Sequence, residues 1–369
     1  MTVATPPTRP TILIEEDHFL KIVPVILDPE TPFAHQRAVE DFFAHDVPDF
    51  EGWCAQVRAR IPGLYPARVI CATSQRDLVV KLAEADGAIV ESLLIDRPAL
   101  ASAKRLKVAH KFGTLASNID QAACAERGID VVVLRRRVNV AVAEQCFTLM
   151  LALAKGICTL NGLVERSALE KGGYSIRPRA PAFIGYSNFA RVAGLKTLYG
   201  ANLGIVGLGE VGREIAGRAA AFGMRTLYFQ RHQLDGAVEE ALGARYASLD
   251  ELMALSDYIV VQLPLNDATR GIIDAKALAR VKPGAILINC ARAELIDRAV
   301  LVDALDAGRL GGLGLDVGYA EPADSDDPLL RYRGRGNVIL MPHTAVGARE
   351  NAQRDLERLC LNLWRAIVR

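Results

Sequence analysis

Three polar side chains, Arg292, Glu321 and His343, each follow an apolar run and could together interconvert a carbonyl group and an alcohol. A histidine titrates near neutral pH, so it can give a proton to a hydroxyl oxygen or take one from it. A neighbouring carboxylate favours the imidazolium form, and an arginine can hold a substrate carboxylate through two hydrogen bonds. Taken singly, the three residues have ordinary interpretations as a helix-capping ion pair, a solvated loop acid and a turn residue.

A glycine motif indicates where a cofactor for such chemistry could bind. Gly207, Gly209 and Gly212 follow the apolar run Ala201–Val206, and helical spacing begins immediately after them. In a dinucleotide-binding turn the first glycine permits the sharp bend, the second admits the pyrophosphate and the third lets the helix approach the strand. The free N–H groups of the helix N-terminus then face the phosphates. The sequence therefore predicts a Rossmann unit.

Strand and helix patterns alternate along most of the chain, which predicts an α/β protein with doubly wound parallel sheets. The expected strands of the first half are Lys21–Asp28, Ala67–Thr73, Gly87–Glu91, Leu106–His110 and Ile129–Leu134. Those of the second half are Asn202–Val206, Arg225–Phe229, Tyr258–Leu263, Ala285–Asn289, Gly312–Asp316 and Val338–Met341. The expected helices are Gln75–Ala85, Pro98–Ser102, Ile119–Arg127, Val140–Leu160, Ser248–Leu255, Asp274–Val281, Arg298–Ala307 and Arg349–Val368.

This topology explains why the polar residues should meet. Ligands of open parallel sheets bind beyond the carboxyl ends of the strands. Three different strands of the second half end next to such residues. The first is followed by Arg292, the second ends at Asp316 with Glu321 just beyond it, and the third is followed by His343. We expect a guanidinium, carboxylates and an imidazole at one sheet edge.

Composition excludes several other classes of protein. A chain of 369 residues with 51% hydrophobic residues and a net charge of +1 predicts two soluble domains with no affinity for nucleic acid or membranes. The seven scattered cysteines predict buried thiols in a reducing cytoplasm, without a metal site or a sulfur-based mechanism. The N-terminal residues lack a signal peptide's apolar segment. The apolar helix around Cys146–Leu160 is expected in a core, and the arginines at 135–137 and 331–335 in solvated loops or ion pairs.

A long connection from about Ser167 to Lys196 carries several aromatic residues: Tyr174, Phe183, Tyr186 and Phe189. It could be a loop on the protein surface or an arm that buries these rings against a second subunit. Because exposed aromatic side chains are costly, the arm is the favoured interpretation.

Four ordered motifs together resemble the D-isomer-specific 2-hydroxyacid dehydrogenase family. They are Gly207–Gly212, Asn289–Arg292, Gly314–Val317 with Glu321-Pro322, and Pro342-His343. The resemblance implies two Rossmann-like domains with the active site between them, a homodimer, and NAD(P) as cofactor. It also implies that Arg292 binds the substrate carboxylate, Glu321 pairs with the acid/base His343, and Asp316 contacts the nicotinamide carboxamide. Further cofactor contacts are expected from Glu210, Val211, Gln230, Arg231, Leu263, Pro264, Cys290 and Ala291.

Two departures from the family pattern concern specificity. In the loop Gly113–Asp120, Leu115 and Ser117 replace a glycine and an aspartate, so a pocket formed by Gly113, Thr114 and Leu115 could be narrowed. Lys111 beside it is interpreted as a surface lysine, with a cationic substrate contact as the alternative. At the end of the second Rossmann strand, Gln230 stands where an NAD-specific site has an acid, and Arg231 follows it. This favours NADP(H), although an uncharged residue is also compatible with NAD.

The sequence therefore predicts a cytoplasmic, homodimeric oxidoreductase that interconverts a small 2-oxo acid and a D-2-hydroxy acid, similar to a glyoxylate or hydroxypyruvate reductase. A substrate domain is expected at 11–137 and 345–369, and a NAD(P)-binding domain at 138–344 with the long loop at 167–196. Two alternatives remain: a corepressor-like protein that senses the dinucleotide, and a dehydrogenase of a non-carboxylate oxyacid. Retention of Arg292, Glu321 and His343 speaks against the first, because a sensor needs only the glycine motif.

Overall fold

The computed structural model describes residues 9–176 and 187–368. Its contacts divide the chain into two compact units, Met1–Ala141 with Val346–Arg369, and Val142–Ala345. Two aromatic residues of the expected arm, Phe183 and Tyr186, lie outside the described residues.

The first unit contains a parallel sheet of five strands among the described residues. The strands are β1 (Thr11–Glu15), β2 (Arg68–Ala72), β3 (Gly87–Val90), β4 (Val108–Lys111) and β5 (Asp130–Val133). Their order is β2-β1-β3-β4-β5, and all pairs are parallel. The helices that connect them are α1 (Val23–Leu27), α2 (Phe33–Phe43), α3 (Phe50–Ala59), α4 (Gln75–Lys81), α5 (Arg97–Leu100) and α6 (Gln121–Glu126).

The predicted first strand, Lys21–Asp28, is wrong. Residues Leu20–Ile22 form a 3₁₀ turn and α1 follows it. Short apolar runs do not distinguish a buried helix from a buried strand, and Pro24 is tolerated in a first helical turn but lacks the N–H that a central strand needs. The first strand is instead β1, which lies between β2 and β3 in the sheet and whose five residues are all buried.

The second unit contains a seven-stranded parallel sheet among the described residues, one strand more than the six predicted. The strands are β6 (Asn202–Val206), β7 (Arg225–Phe229), β8 (Ala244–Tyr246), β9 (Tyr258–Val261), β10 (Ile286–Asn289), β11 (Gly312–Leu315) and β12 (Val338–Leu340). Their order is β12-β11-β10-β9-β6-β7-β8, so the chain reverses direction across the sheet at β6. The additional strand, β8, has only three residues, too few for a readable period.

The helices of this part of the chain also refine the expectations. They are α7 (Arg137–Lys155), α8 (Ile157–Leu160), α9 (Arg166–Lys171), α10 (Glu210–Ala221), α11 (Gly236–Leu242), α12 (Leu249–Leu255), α13 (Ala275–Arg280) and α14 (Arg298–Asp306). The predicted single helix over 140–160 is interrupted at Gly156, which has a φ of +61°. The expected long loop begins later than predicted, because α9 occupies its first residues.

Helix α7 is the one described helix whose length and composition would allow it to cross a membrane, with a mean hydropathy of 1.3 over its most apolar window. Core helices of globular proteins pass the same test. Its residues Ala143, Cys146, Phe147 and Met150 are buried in a cluster with side chains of β6 and β10. We therefore interpret α7 as a core helix of the second unit.

The last helix, α15 (Arg349–Ile367), returns to the first unit as the sequence predicted. Its apolar side chains Leu356, Leu359 and Leu363 are buried in the same cluster as Ile12 and Ile14 of β1. The chain therefore passes between the units twice.

Candidate active site

The glycine turn between β6 and α10 has the geometry that its sequence predicts. Gly207 has a φ of +108°, and a Cβ there would lie 2.5 Å from the carbonyl oxygen of Gln262. A Cβ on Gly212 would collide with the carbonyl oxygen of Gly207. Nothing within the described residues would obstruct a Cβ on Gly209, so the protein's own packing does not explain that glycine.

The N-terminus of α10 is available to an anion. Gly209 is its N-cap residue, and no side chain caps the helix there. The first N–H groups of a 12-residue helix therefore point out of the turn with the positive end of its dipole. A bound diphosphate would satisfy them and would account for the space above Gly209.

Beyond the ends of β7 and β9 lies a mostly apolar cavity of about 510 Å³. Among the described residues that line it, none is acidic; they are Phe229, Gln230, Arg231, His232, Leu263, Pro264, Asn266, Ala268, Thr269 and Ile272. The amide of Gln230 donates to the carbonyl oxygen of His232 at 2.7 Å, which orients the side chain. The cavity is large enough for an adenosine moiety.

The loop after β10 presents Arg292 to solvent. Asn289, which is fully buried, holds this loop with both ends of its amide. Its nitrogen donates to the carbonyl oxygen of Arg292 at 2.8 Å, and its oxygen accepts from the Ala291 N–H at 3.0 Å. The Arg292 guanidinium donates to the carbonyl oxygen of Ala291 at 2.7 Å. The arginine is therefore exposed while its backbone is fixed.

Glu321 connects the loops that follow β11 and β12. One of its carboxylate oxygens accepts from the Gly318 N–H at 2.9 Å, and the other lies 2.8 Å from Nδ1 of His343. Partial burial alone would raise the pKa of Glu321, but the hydrogen bonds from His343 and Gly318 and the charges of His343 and Arg292 lower it overall. Because an ionised carboxylate only accepts hydrogen bonds, Nδ1 carries the proton of this pair, and Nε2 is left for exchange with a ligand.

The backbone of His343 has a φ of +55°, in the left-handed region that side-chain-bearing residues rarely adopt. Such a conformation costs about 1–3 kcal/mol and persists only where surrounding contacts impose it. Here those contacts involve Asp316, which is fully buried. Its carboxylate accepts from the N–H groups of Thr344 at 3.0 Å and Ala345 at 2.7 Å.

Asp316 is also contacted from α7 and by a hydroxyl group. The Gln145 amide and the Thr344 hydroxyl each donate to it at 3.2 Å. Asp316 therefore fixes the turn that carries His343. The structure brings Arg292, Glu321 and His343 to the same edge of the sheet, as the sequence predicted for the strand ends.

The chain is similar in sequence and in fold to known proteins. The sequence profile described as D-isomer specific 2-hydroxyacid dehydrogenase, NAD binding domain, matches residues 147–345. A glyoxylate reductase of Korarchaeum cryptofilum is 31% identical over 79% of this chain and 82% of its own length. One from Pyrococcus furiosus is 33% identical over 73% of this chain and 75% of its own. The crystal structure of a glyoxylate reductase from Paecilomyes thermophila is 26% identical, covers 96% of this chain and 94% of its own, and has a TM-score of 0.51.

The chain belongs to the D-isomer specific 2-hydroxyacid dehydrogenase family. It is an oxidoreductase that transfers a hydride between a nicotinamide cofactor and a 2-hydroxy or 2-oxo acid. The turn Gly207–Gly212 fits the cofactor's diphosphate, since its open N–H groups and the bare Gly209 have no other described use.

Cys290 and Cys146 form a pair of interacting thiols. Both side chains are buried. Hydrogen bonding with Cys146 together with burial raises the pKa of Cys290, so its thiol stays protonated and is a poor nucleophile. Of the remaining cysteines, Cys158 is exposed and Cys71 is partly exposed, in contrast to the expectation that the thiols would be buried.

The predicted substrate loop lies at the end of β4 in the first unit. Gly113 is buried and accepts a hydrogen bond from the Leu134 N–H at 2.8 Å, Thr114 is exposed and Leu115 is half-buried. The Ile119-Asp120 pair is structural: Ile119 bridges to Ile95, and Asp120 caps α6 by accepting from the Ala123 N–H at 2.9 Å.

The interpretation of Lys111 as a surface lysine is wrong. Its side chain is buried, and its ammonium group donates to the carbonyl oxygen of Glu91. Lys111 is the last residue of a strand with neighbours on both sides, so its side chain is enclosed and its charge is directed at the loop after β3. This lysine supports the sheet edge of the first unit.

Sequence reasoning missed the residues that position the site. Asn289, Thr344 and Gln145 hold the loops of Arg292 and His343 through hydrogen bonds to backbone or to Asp316. Only Asn289 carried a signal, as a polar residue ending an otherwise apolar strand. The family resemblance included it in a motif without giving it a role.

Proposed function

We propose that this dehydrogenase reduces a small 2-oxo acid, of the glyoxylate or hydroxypyruvate kind, to the D-2-hydroxy acid. The observation that carries this proposal is the contact between Nδ1 of His343 and Glu321, with the Arg292 charge close enough to lower the pKa of that carboxyl. Relatives named glyoxylate reductase support the substrate class.

His343 moves the proton. With Nδ1–H donating to Glu321, its Nε2 gives a proton to the carbonyl oxygen during reduction and takes one from the hydroxyl during oxidation. The bound nicotinamide supplies or accepts the hydride. The negative charge of Glu321 attracts the protonated imidazole, and its hydrogen bond with Nδ1 orients the ring. The strained backbone of His343 fixes the position from which the side chain extends.

Arg292 holds the substrate carboxylate. Its guanidinium can form two parallel hydrogen bonds with a carboxylate, and its charge polarises the adjacent carbonyl. In the first unit, Gly113, Thr114 and Leu115 contribute to the pocket for the rest of the substrate. The Leu115 side chain limits that pocket to short acids.

The carboxyl edge of the second sheet would hold the cofactor. The first turn of α10, with Glu210 and Val211, would bind its diphosphate, and Leu263 and Pro264 would bind its adenosine. Cys290 and Ala291 would contribute backbone groups to the nicotinamide, and Asp316, which holds the His343 turn, would bind the carboxamide. With these roles, residues 138–344 form the cofactor domain and residues 11–137 with 345–369 form the substrate domain.

NADP(H) is the preferred cofactor. The cavity beyond β7 is lined by Gln230, Arg231 and His232 and by no described carboxylate. A carboxylate would repel a 2′-phosphate, whereas Arg231 can bind one.

The active form is a cytoplasmic homodimer. Several large apolar side chains between residues 157 and 199 are exposed: Ile157 at 53%, Val164 at 78%, Leu195 at 46% and Tyr199 at 79%. Exposed apolar side chains in one stretch of the chain favour a subunit interface there. Tyr174 and Phe189 belong to the same segment, which supports the arm interpretation.

A panel of substrates tests the reaction. Glyoxylate, hydroxypyruvate, pyruvate and phenylpyruvate are each supplied with NADH and with NADPH, and loss of the reduced-nicotinamide absorbance is followed. We expect the short acids to be reduced fastest, with NADPH preferred. Cofactor binding without turnover on any acid would contradict the proposal and favour the dinucleotide sensor or an enzyme of a non-carboxylate oxyacid.

A further inference from the structure

A second concave site lies in the first unit, between α3, the end of β5, the start of α7, and α15. It is a cavity of about 380 Å³ with a wall that contains five arginines: Arg60, Arg135, Arg137, Arg354 and Arg358. None of the catalytic or cofactor-binding residues above lines it. The sequence-based expectation for the 135–137 run was a solvated loop or ion pairs, and two of its members, Arg135 and Arg137, are exposed and line this cavity.

Acidic residues compensate only part of this charge. The wall contains two carboxylates, Asp355 and Glu357. Asp355 is buried and accepts from the N–H groups of Arg137 at 2.8 Å and Val138 at 3.2 Å, so it caps α7. Glu357 is paired with Arg60. Both carboxylates are therefore already engaged.

Two of the guanidinium groups form no close ion pair within the described ranges, although the charge of Arg137 acts on the Asp355 carboxylate from farther away. Arg354 pairs with Glu350, which lies one helical turn earlier, at 2.9 Å. Within the described ranges, the side chains of Arg137 and Arg358 have neither an ion-pair partner nor a side-chain hydrogen bond, and both are exposed. Positive charges that line a concave surface raise the local concentration of anions.

The other lining residues restrict the kind of anion. Leu134 and Leu361 supply the apolar part of the wall, and no aromatic side chain is among the described lining residues. A nucleotide base would therefore find no ring to stack on. Guanidinium groups bind phosphate oxygens in pairs of parallel hydrogen bonds. We propose that this cavity binds a small multivalent phosphate anion, of the size of pyrophosphate, through Arg137 and Arg358.

Calorimetric titration with pyrophosphate tests the proposal. The protein is first saturated with NADPH, so that the phosphate-binding turn at Gly207–Gly212 cannot take the ligand, and the buffer is free of divalent metal and low in salt. We expect one saturable site in the native protein. Arg137→Ala/Arg358→Ala should bind at least tenfold more weakly, and the matching lysine pair should recover part of that loss.

A matched control separates site binding from general charge. Arg76→Ala/Arg309→Ala removes two exposed arginines that do not line the cavity, and its affinity should stay within twofold of the native value. Circular dichroism verifies that each variant is folded. Tripolyphosphate and ATP should bind with similar affinity if the base makes no contact.

Three outcomes would overturn the proposal. They are the absence of saturable binding in the native protein, equal losses in the cavity variant and the control variant, and ATP binding more than tenfold tighter than tripolyphosphate. None of them bears on the dehydrogenase reaction, because the cavity and the catalytic residues are distinct.

Discussion

Replacing Glu321 with glutamine isolates the electrostatic part of its action on His343. The substitution removes the negative charge but keeps a side chain that can accept from Nδ1 of the imidazole and from the Gly318 N–H. In the proposed reduction, the protonated imidazole supplies the proton. Loss of the carboxylate removes a nearby negative charge that attracts this form, so the step in which His343 gives its proton should become less favourable.

The size of the effect follows from the geometry. The contacting atoms are 2.8 Å apart, and the side chains of His343 and Glu321 are 37% and 44% exposed. For charge centres about 4 Å apart in a water-like environment, the Coulomb energy is about 1 kcal/mol, the upper end of values for exposed pairs. This energy corresponds to about a fivefold change in rate.

The assay is kcat/KM for the best 2-oxo acid at neutral pH and saturating NADPH. In Glu321→Gln, kcat/KM for reduction should fall about fivefold. Glu251→Gln removes a carboxylate of similar exposure, 42%, that pairs with Arg245, and its kcat/KM should stay within about twofold of the native value. An unchanged or higher kcat/KM in Glu321→Gln would refute this explanation of the pair.

The same carboxylate makes a pH-dependent contribution to stability. Because folding lowers the pKa of Glu321, the contribution is present at neutral pH and is lost as the pH falls through the lowered value, below 4.5. The difference in Tm between the native protein and Glu321→Gln should therefore shrink under acid conditions. A difference that grows there would contradict the direction of this shift.

Three further substitutions test the other roles. Arg292→Lys should lower kcat/KM for the 2-oxo acid by about 10- to 100-fold, because lysine lacks the planar pair of donors. Cofactor affinity, measured by nicotinamide fluorescence, should stay unchanged. A variant with the same kcat/KM as the native protein would contradict the role of Arg292 in substrate binding. Arg231→Ala should raise the KM for NADPH about tenfold and leave that for NADH within twofold, and equal effects on both would contradict the 2′-phosphate contact. Val164→Glu should convert the dimer to a monomer in light scattering after size-exclusion chromatography, whereas Val80→Glu, at 66% exposure in the first unit, should not; a dimer in both variants would place the interface elsewhere.

The fold was largely predictable where the sequence carries a strong period. The strands β6, β7 and β9–β12 agree with the prediction to within two residues, because each is a short apolar run next to a glycine, an aspartate or a helical pattern. The prediction failed at Lys21–Asp28, where an apolar run of helical length contains Pro24. It also failed for β8, whose three residues show no alternation.

The sequence predicted where Arg292 and His343 lie, but not which residues hold their loops in place. Arg292 and His343 stand out because polar side chains after buried strands must lie at the carboxyl edge. The amide of Asn289 and the carboxylate of Asp316 act through backbone N–H and carbonyl groups, which leave no trace in the sequence. Burial of Lys111 likewise depends on neighbouring strands that are distant along the chain.

The most direct test of the central claim is the turnover of His343→Gln. Glutamine cannot exchange a proton, so the rate of reduction should fall by about 10²–10⁴-fold, while NADPH affinity stays within twofold of the native value. This result would establish His343 as the acid/base of the reaction. Near-normal turnover in the variant would contradict the assignment and the mechanism built on the contact with Glu321.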